Sequence, residues 1–124
     1  MRLMRVKQHY LDLIKNRQKK LEIRVGYPNI RTIQSGERIK LASRTETIVI
    51  YVENVRKYPT LDSMLNDEDP NIIVPGLTKA QVSRLLKKIY PRRLEKLGVF
   101  VLEIKLNRKI NTNRPVDDDS TNTD

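Results

Sequence analysis

Four charged residues crowd the run Lys19-Lys20-Leu21-Glu22-Ile23-Arg24-Val25. Glu22 has Lys20 two positions before it and Arg24 two positions after it, a spacing that lets a carboxylate orient a guanidinium through a charge-assisted pair. Lys19 and Arg24 are suited to phosphate oxygens or the edge of a base, and Glu22 either fixes Arg24 or accepts from a base amino group. A strand with such a file of charges on one side presents either a solvated face or the charged floor of a pocket.

These residues need an element to hold them. Leu21, Ile23 and Val25 alternate with Lys20, Glu22 and Arg24, which predicts a strand over 20–25 with an apolar face and a charged face. Upstream, Leu3 to Val6 reads as a short strand and Gln8 to Asn16 as a helix with Tyr10, Leu13 and Ile14 on one side. Gly26-Tyr-Pro-Asn29 and Ser35-Gly36 supply turns around a short alternating run, Arg38 to Leu41. Thr47 to Val55 is apolar at both parities and predicts a central strand covered on both faces. Thr60 caps a short helix containing Leu61, Met64 and Leu65, and Asp67 to Gly76 reads as a loop. Thr78 and Gln81 have capping-box form ahead of Val82, Leu85, Leu86 and Ile89, the strongest helical pattern in the chain. Pro91 stops that helix, and Gly98 opens a last strand with Phe100, Leu102, Ile104 and Leu106 on one face. Short strands and irregularly placed helices point to an α+β domain, a small twisted β-barrel with flanking helices, over 1–106. Residues 107–124 are poor in apolar side chains and read as a disordered polar tail.

The net charge of +10 is unevenly spread. Residues 107–124 hold three basic and four acidic groups, which leaves 22 basic against 11 acidic, or +11, in residues 1–106. Folding does not require such an excess, and it favours an anionic partner. Arg84, Lys87, Lys88, Arg92 and Arg93 are the expected nucleic-acid contacts, through phosphates and counterion release. Tyr10, Tyr27, Tyr51, Tyr58 and Tyr90 are potential stacking groups, although most are expected in the core.

Other chemistry is poorly represented. There is no cysteine and only one histidine, His9, which excludes thiolate catalysis and leaves no metal-ligand set. The four glycines match neither a P-loop nor a dinucleotide fingerprint, so no cofactor is expected. No apolar run approaches the roughly 18–20 residues of a membrane span, and Met1-Arg-Leu-Met4 lacks the apolar core of a signal peptide. A soluble, cytoplasmic protein without a membrane partner is the expectation.

The run Arg17-Gln-Lys19-Lys-Leu-Glu22-Ile-Arg24 resembles the signature of the ASCH domain, a PUA-like superfamily, written G-x-K-x-x-E-x-R. The preceding helix, the Ser35-Gly36-Glu37 turn, the Val74-Pro75-Gly76 loop and the passage from Ile89-Tyr90 to Gly98-Val99 follow the family's order. The resemblance spans residues 3–106. It implies a PUA-like β-barrel with a cleft between barrel and helices, Lys19, Lys20, Glu22 and Arg24 as its ligand-binding residues, and RNA or a nucleotide as the ligand.

Two departures bear on chemistry. Arg17 stands where the family has glycine, so a left-handed conformation there would carry a steric penalty. The family's N4-acetylcytidine amidohydrolases have Lys and Thr at the positions of Lys19 and Glu22, plus a glutamate in the loop before the long helix. Here that loop reads Val74-Pro-Gly-Leu77, and Glu68 is the nearest glutamate. The favoured reading is an RNA- or nucleotide-binding module without rapid turnover, since Glu22 favours the ammonium form of Lys19; the alternatives are a metal-independent ribonuclease, with Lys19 as the catalytic base toward a ribose hydroxyl, an amidohydrolase acting on N4-acetylcytidine, and a protein-interaction adaptor.

Overall fold

The computed structural model describes residues 1–107. Its strands are β1 (Leu3–Arg5), β2 (Leu21–Val25), β3 (Arg38–Ala42), β4 (Thr47–Tyr58) and β5 (Val99–Leu106). Its helices are α1 (Gln8–Lys15), α2 (Pro28–Arg31), α3 (Leu61–Asp67) and α4 (Lys79–Ile89). The strands form one sheet in the order β1-β3-β4-β5-β2, with β1 parallel to β3 and the other neighbours antiparallel. The result is the expected α+β architecture, with the sheet curled into a half-barrel and helices on its flanks.

Both faces of the sheet are covered, as the long apolar run in β4 requires. Ile48, Val49 and Ile50 are all buried. One core joins Met4, Leu11, Ile14, Ile30, Ile39 and Ile50 to Phe100, Leu102 and Ile104. The other packs Leu21, Ile23, Val99 and Val101 against α3 and α4 through Leu61, Met64, Leu65, Val82 and Leu86. Alternation along β5 therefore feeds two cores, since successive side chains leave a strand on opposite sides. Capping boxes start α3 at Thr60 with Ser63 and α4 at Thr78 with Gln81, each satisfying backbone N–H groups that the first helical turn leaves unpaired.

Several boundaries differ from the sequence reading. The stretch read as a turn after β2 continues into α2, because Pro28 at the first helical position has its φ preset for a helix. The loop over 67–76 contains a 3-10 turn at Pro70–Ile72, and a second spans Arg92–Leu97 beyond Pro91. Strand β4 runs on to Tyr58, past a register shift between Val52 and Asn54. The expected disordered tail lies, beyond Asn107, outside the described residues. Among the described residues no helix is long and apolar enough to cross a membrane.

Candidate functional site

The chain enters the site through the end of α1. Asn16 is the C-cap, and Arg17 follows at φ 63°, the only non-glycine residue with positive φ among those described. Arg17 N–H donates to Ile14 O at 3.0 Å and Gln18 N–H to Leu13 O at 2.9 Å, the paired bonds of a Schellman motif. That motif favours glycine at the position Arg17 fills, so the departure from the family signature falls where a Cβ is costly. The turn delivers Lys19 directly to the start of β2.

Lys19 and Glu22 are buried, with only 5% and 8% of their surfaces exposed. The Lys19 ammonium donates to Leu21 O at 2.6 Å and Ile73 O at 2.8 Å, and lies 3.2 Å from Glu22 Oε1. Three acceptors match its three hydrogens. Arg24 Nε donates to Glu22 Oε2 at 2.7 Å, so the carboxylate is held between two cations, one on each oxygen. Burial pushes the Glu22 carboxyl up, but the charges of Lys19 and Arg24 and their hydrogen bonds outweigh it and hold the group below the usual carboxylate range. Burial opposes the Arg24 charge too, and Glu22 more than offsets it.

Glu22 and Arg24 pair across the sheet with Leu102 and Phe100, which places them on the face of the first core, at its β2 edge. Strands β1 and β2 are the free edges of the half-barrel, and Arg24 Nη2 donates to Arg5 O at 2.9 Å between them. Arg24 thus clips the seam while its Nη1 has no partner among the described residues.

A cleft of about 390 Å³ opens here between β2, α1 and α4. Its walls include Val6, Ile23, Val74, Leu85 and Ile89, with the rings of Tyr10 and Tyr90. Its charged lining is Arg5, Lys7, Lys19, Arg24 and Lys88 against the single carboxylate of Glu22. Lys19 Nζ lies 5.7 Å from the centre of the Tyr10 ring, and Tyr90 is tethered by a 3.4 Å bond to Ile23 O. Burial, ahead of the neighbouring charges, pushes the Tyr90 hydroxyl up. Apolar walls with a few convergent polar groups are the usual make-up of a small-molecule site.

The structure brings together Lys19, Glu22 and Arg24 but not Lys20. The strand begins at Leu21, and Lys20 is exposed and lines a different pocket. Of the expected nucleic-acid contacts, only Lys88 reaches the cleft. Lys87 pairs with Asp62 at 2.9 Å, and Lys87 and Arg92 border a separate pocket with Glu95. Arg84 and Arg93 are exposed. Glu68 is not in the cleft: its carboxylate is held by Arg56 and Tyr58. Tyrosines are less buried than expected. Tyr27 is 43% exposed, and the other four are half-buried, with Tyr10, Tyr58 and Tyr90 packed against the edge of the second core. Sequence reading missed Arg5, Lys7, Tyr10 and Tyr90 as cleft residues; the weak available signal was the presence of two tyrosines at the ends of predicted helices. Among the described residues, no cluster of His, Cys, Asp or Glu could hold a metal.

Residues 4–108 match the ASCH domain. The chain belongs to the ASCH family. No curated protein matches it in sequence. Two solved structures are similar over nearly their whole length: hypothetical protein PH0355 (TM-score 0.77, 27% identity, 86% of this chain and 99% of that one) and protein PF0455 from Pyrococcus furiosus (TM-score 0.70, 27% identity, 86% and 96%). A mutant of ZmASCH from Zymomonas mobilis shares the fold at TM-score 0.59 and 13% identity, over 83% of this chain and 67% of that one. The curled half-barrel sheet with flanking helices matches these ASCH/PUA-like structures.

Proposed function

We propose that this ASCH domain is an RNA- or nucleotide-binding module that works from the cleft beside β2 without rapid turnover. One observation supports it above all. Glu22 is clamped by Lys19 and Arg24, which leaves Arg24 Nη1 unpartnered among the described residues at an apolar-walled cleft lined by five cations and one carboxylate. Burying Lys19 and Glu22, with Arg24 partly buried beside them, costs several kcal/mol per buried ion before pairing, a cost that scaffolding alone does not call for. The aromatic walls suit a base, Arg24 suits its acceptor edge or a phosphate, and Arg5, Lys7 and Lys88 suit the backbone that follows.

Lys19 fits a fixed cation better than a base. Its hydrogens already meet two carbonyls and a carboxylate, so a lone pair formed on Nζ would face acceptors instead of a substrate. Glu68, the nearest counterpart of the amidohydrolase glutamate, is engaged elsewhere.

RNA affinity should fall steeply between low and moderate salt, because each neutralised phosphate releases counterions. An isotherm that ignores salt, or no RNA binding at all, would remove this reading and favour the adaptor. Incubation with mixed RNA and with N4-acetylcytidine, beside a Lys19→Met control, tests catalysis. Turnover by the parent that disappears in the control would make Lys19 catalytic.

A further inference from the structure

A second, larger pocket of about 690 Å³ lies on the other side of the segment that carries Lys19. Lys19 lines both pockets, so only the short stretch between α1 and β2 separates them. Ile14, Ile104 and Leu106 give the second pocket an apolar floor, and Tyr51 contributes a half-buried ring. Besides Lys19, its charged lining is Arg17, Lys20 and Lys105 against Glu53. Tyr51 and Lys105 are cross-strand partners, with Lys105 Nζ 5.6 Å from the ring centre and 3.2 Å from Glu53. Arg17 and Lys20 are exposed and make no ion pair with another described residue.

Arg17 and Lys20 are the telling pair. Arg17 holds a left-handed backbone at which glycine is easier, and strain of that kind is retained where surroundings or function demand the side chain. The Schellman turn aims it at the pocket rim, and Lys20 joins it because β2 begins one residue later. Two cations without an ion-pair partner among the described residues, above an apolar floor and a tyrosine ring, make a place for a phosphate and its base.

We infer that the second pocket binds the nucleotide next to the one in the cleft, so that the ligand is single-stranded RNA crossing the Gln18–Lys20 ridge, not a free mononucleotide. This rests on the nucleotide reading of the cleft. Arg17 and Lys20 meet the phosphate, and the base lies over Ile104, Leu106 and Tyr51.

The experiment compares binding of AMP and of a mixed-sequence single-stranded RNA of about eight nucleotides. The proteins are the full chain, a double variant Arg17→Gly with Lys20→Ser, and Glu22→Gln. Arg17→Gly keeps the left-handed turn while removing the cation, so melting temperature should not fall. The double variant should lose about tenfold or more in RNA affinity, with a shallower salt dependence by about 0.7 for each lost phosphate contact, and bind AMP as the parent does. Unchanged RNA affinity, or equal loss for both ligands, overturns the inference. A gain in RNA affinity also overturns it. Failure of the cleft is read separately: a Glu22→Gln chain that binds both ligands normally, while the double variant loses RNA, leaves the second pocket standing alone.

Discussion

Two clusters in this protein join arginine, glutamate and tyrosine, and they use their donors differently. Around β4, Arg56 gives Nε and Nη2 to Glu68 at 2.5 and 3.0 Å and Nη1 to Glu103 at 2.8 Å. The Tyr58 hydroxyl lies 2.5 Å from Glu68 and 2.8 Å from Asp67. Every nitrogen of that guanidinium meets a carboxylate, and the cluster ties β4 to β5 and to the end of α3. At the cleft the ratio is reversed. One carboxylate serves two cations, and Arg24 keeps Nη1 unpartnered among the described residues. A saturated guanidinium is a staple; an unsaturated one beside apolar walls has donors to offer a ligand.

Breaking each cluster at its shared glutamate should separate them most. Glu22→Ala strands the buried Lys19 charge, and a loss of about 3–5 kcal/mol is expected from denaturant unfolding. Glu68→Ala, whose partner Arg56 is partly solvated, should cost about 1 kcal/mol. Equal losses would erase the distinction between the two clusters.

Binding should sharpen the contrast. Arg24→Lys keeps a charge but loses the planar fork, and should weaken RNA by about tenfold, roughly 1.4 kcal/mol. Arg56→Lys should leave affinity within about twofold by titration, since its donors never face the cleft.

Acid sensitivity is a smaller expected difference. Folded Glu22 binds its proton less readily than the unfolded chain does, so protonation favours unfolding. Its stabilising contribution is complete above the unfolded carboxyl range near pH 4.3 (approximately) and is lost as pH falls through the lower folded value. Stability of Glu22→Gln, measured across that acid window, should vary less with pH than the parent's. Glu37, Glu46 and Glu68, whose carboxyls are also held low, should supply the dependence that remains. An unaltered acid profile would mean that Glu22 is not the buried anion described here.

The smallest effect should come from the turn that feeds the site. Arg17→Gly relieves a left-handed side chain but gives the unfolded chain more freedom, for a net gain of about 0.5–1 kcal/mol. A clear loss of melting temperature would show that the Arg17 side chain stabilises the turn.

Much of the fold was legible because its signals are local. Alternation over Leu21, Ile23 and Val25, the capping residues Thr60 and Thr78 and the spacing of Val82, Leu85, Leu86 and Ile89 each act within a few residues, and each produced its element. The family signature likewise marked Lys19, Glu22 and Arg24 as a group. Tertiary structure decided how that group is completed. Alternation puts Lys20 with Glu22 and Arg24, but the strand starts only at Leu21, and Lys19 enters by donating to Ile73 O, 54 positions away. Arg24 meets Arg5 O because β1 and β2, distant in sheet order, are the two edges of a curled sheet. Tyr10 and Tyr90 become cleft walls, while Glu68 turns to Arg56. A period of two or 3.6 residues tells which side of an element a residue takes. Which residues face it from the rest of the chain depends on sheet register and helix packing, set by contacts between segments far apart in sequence.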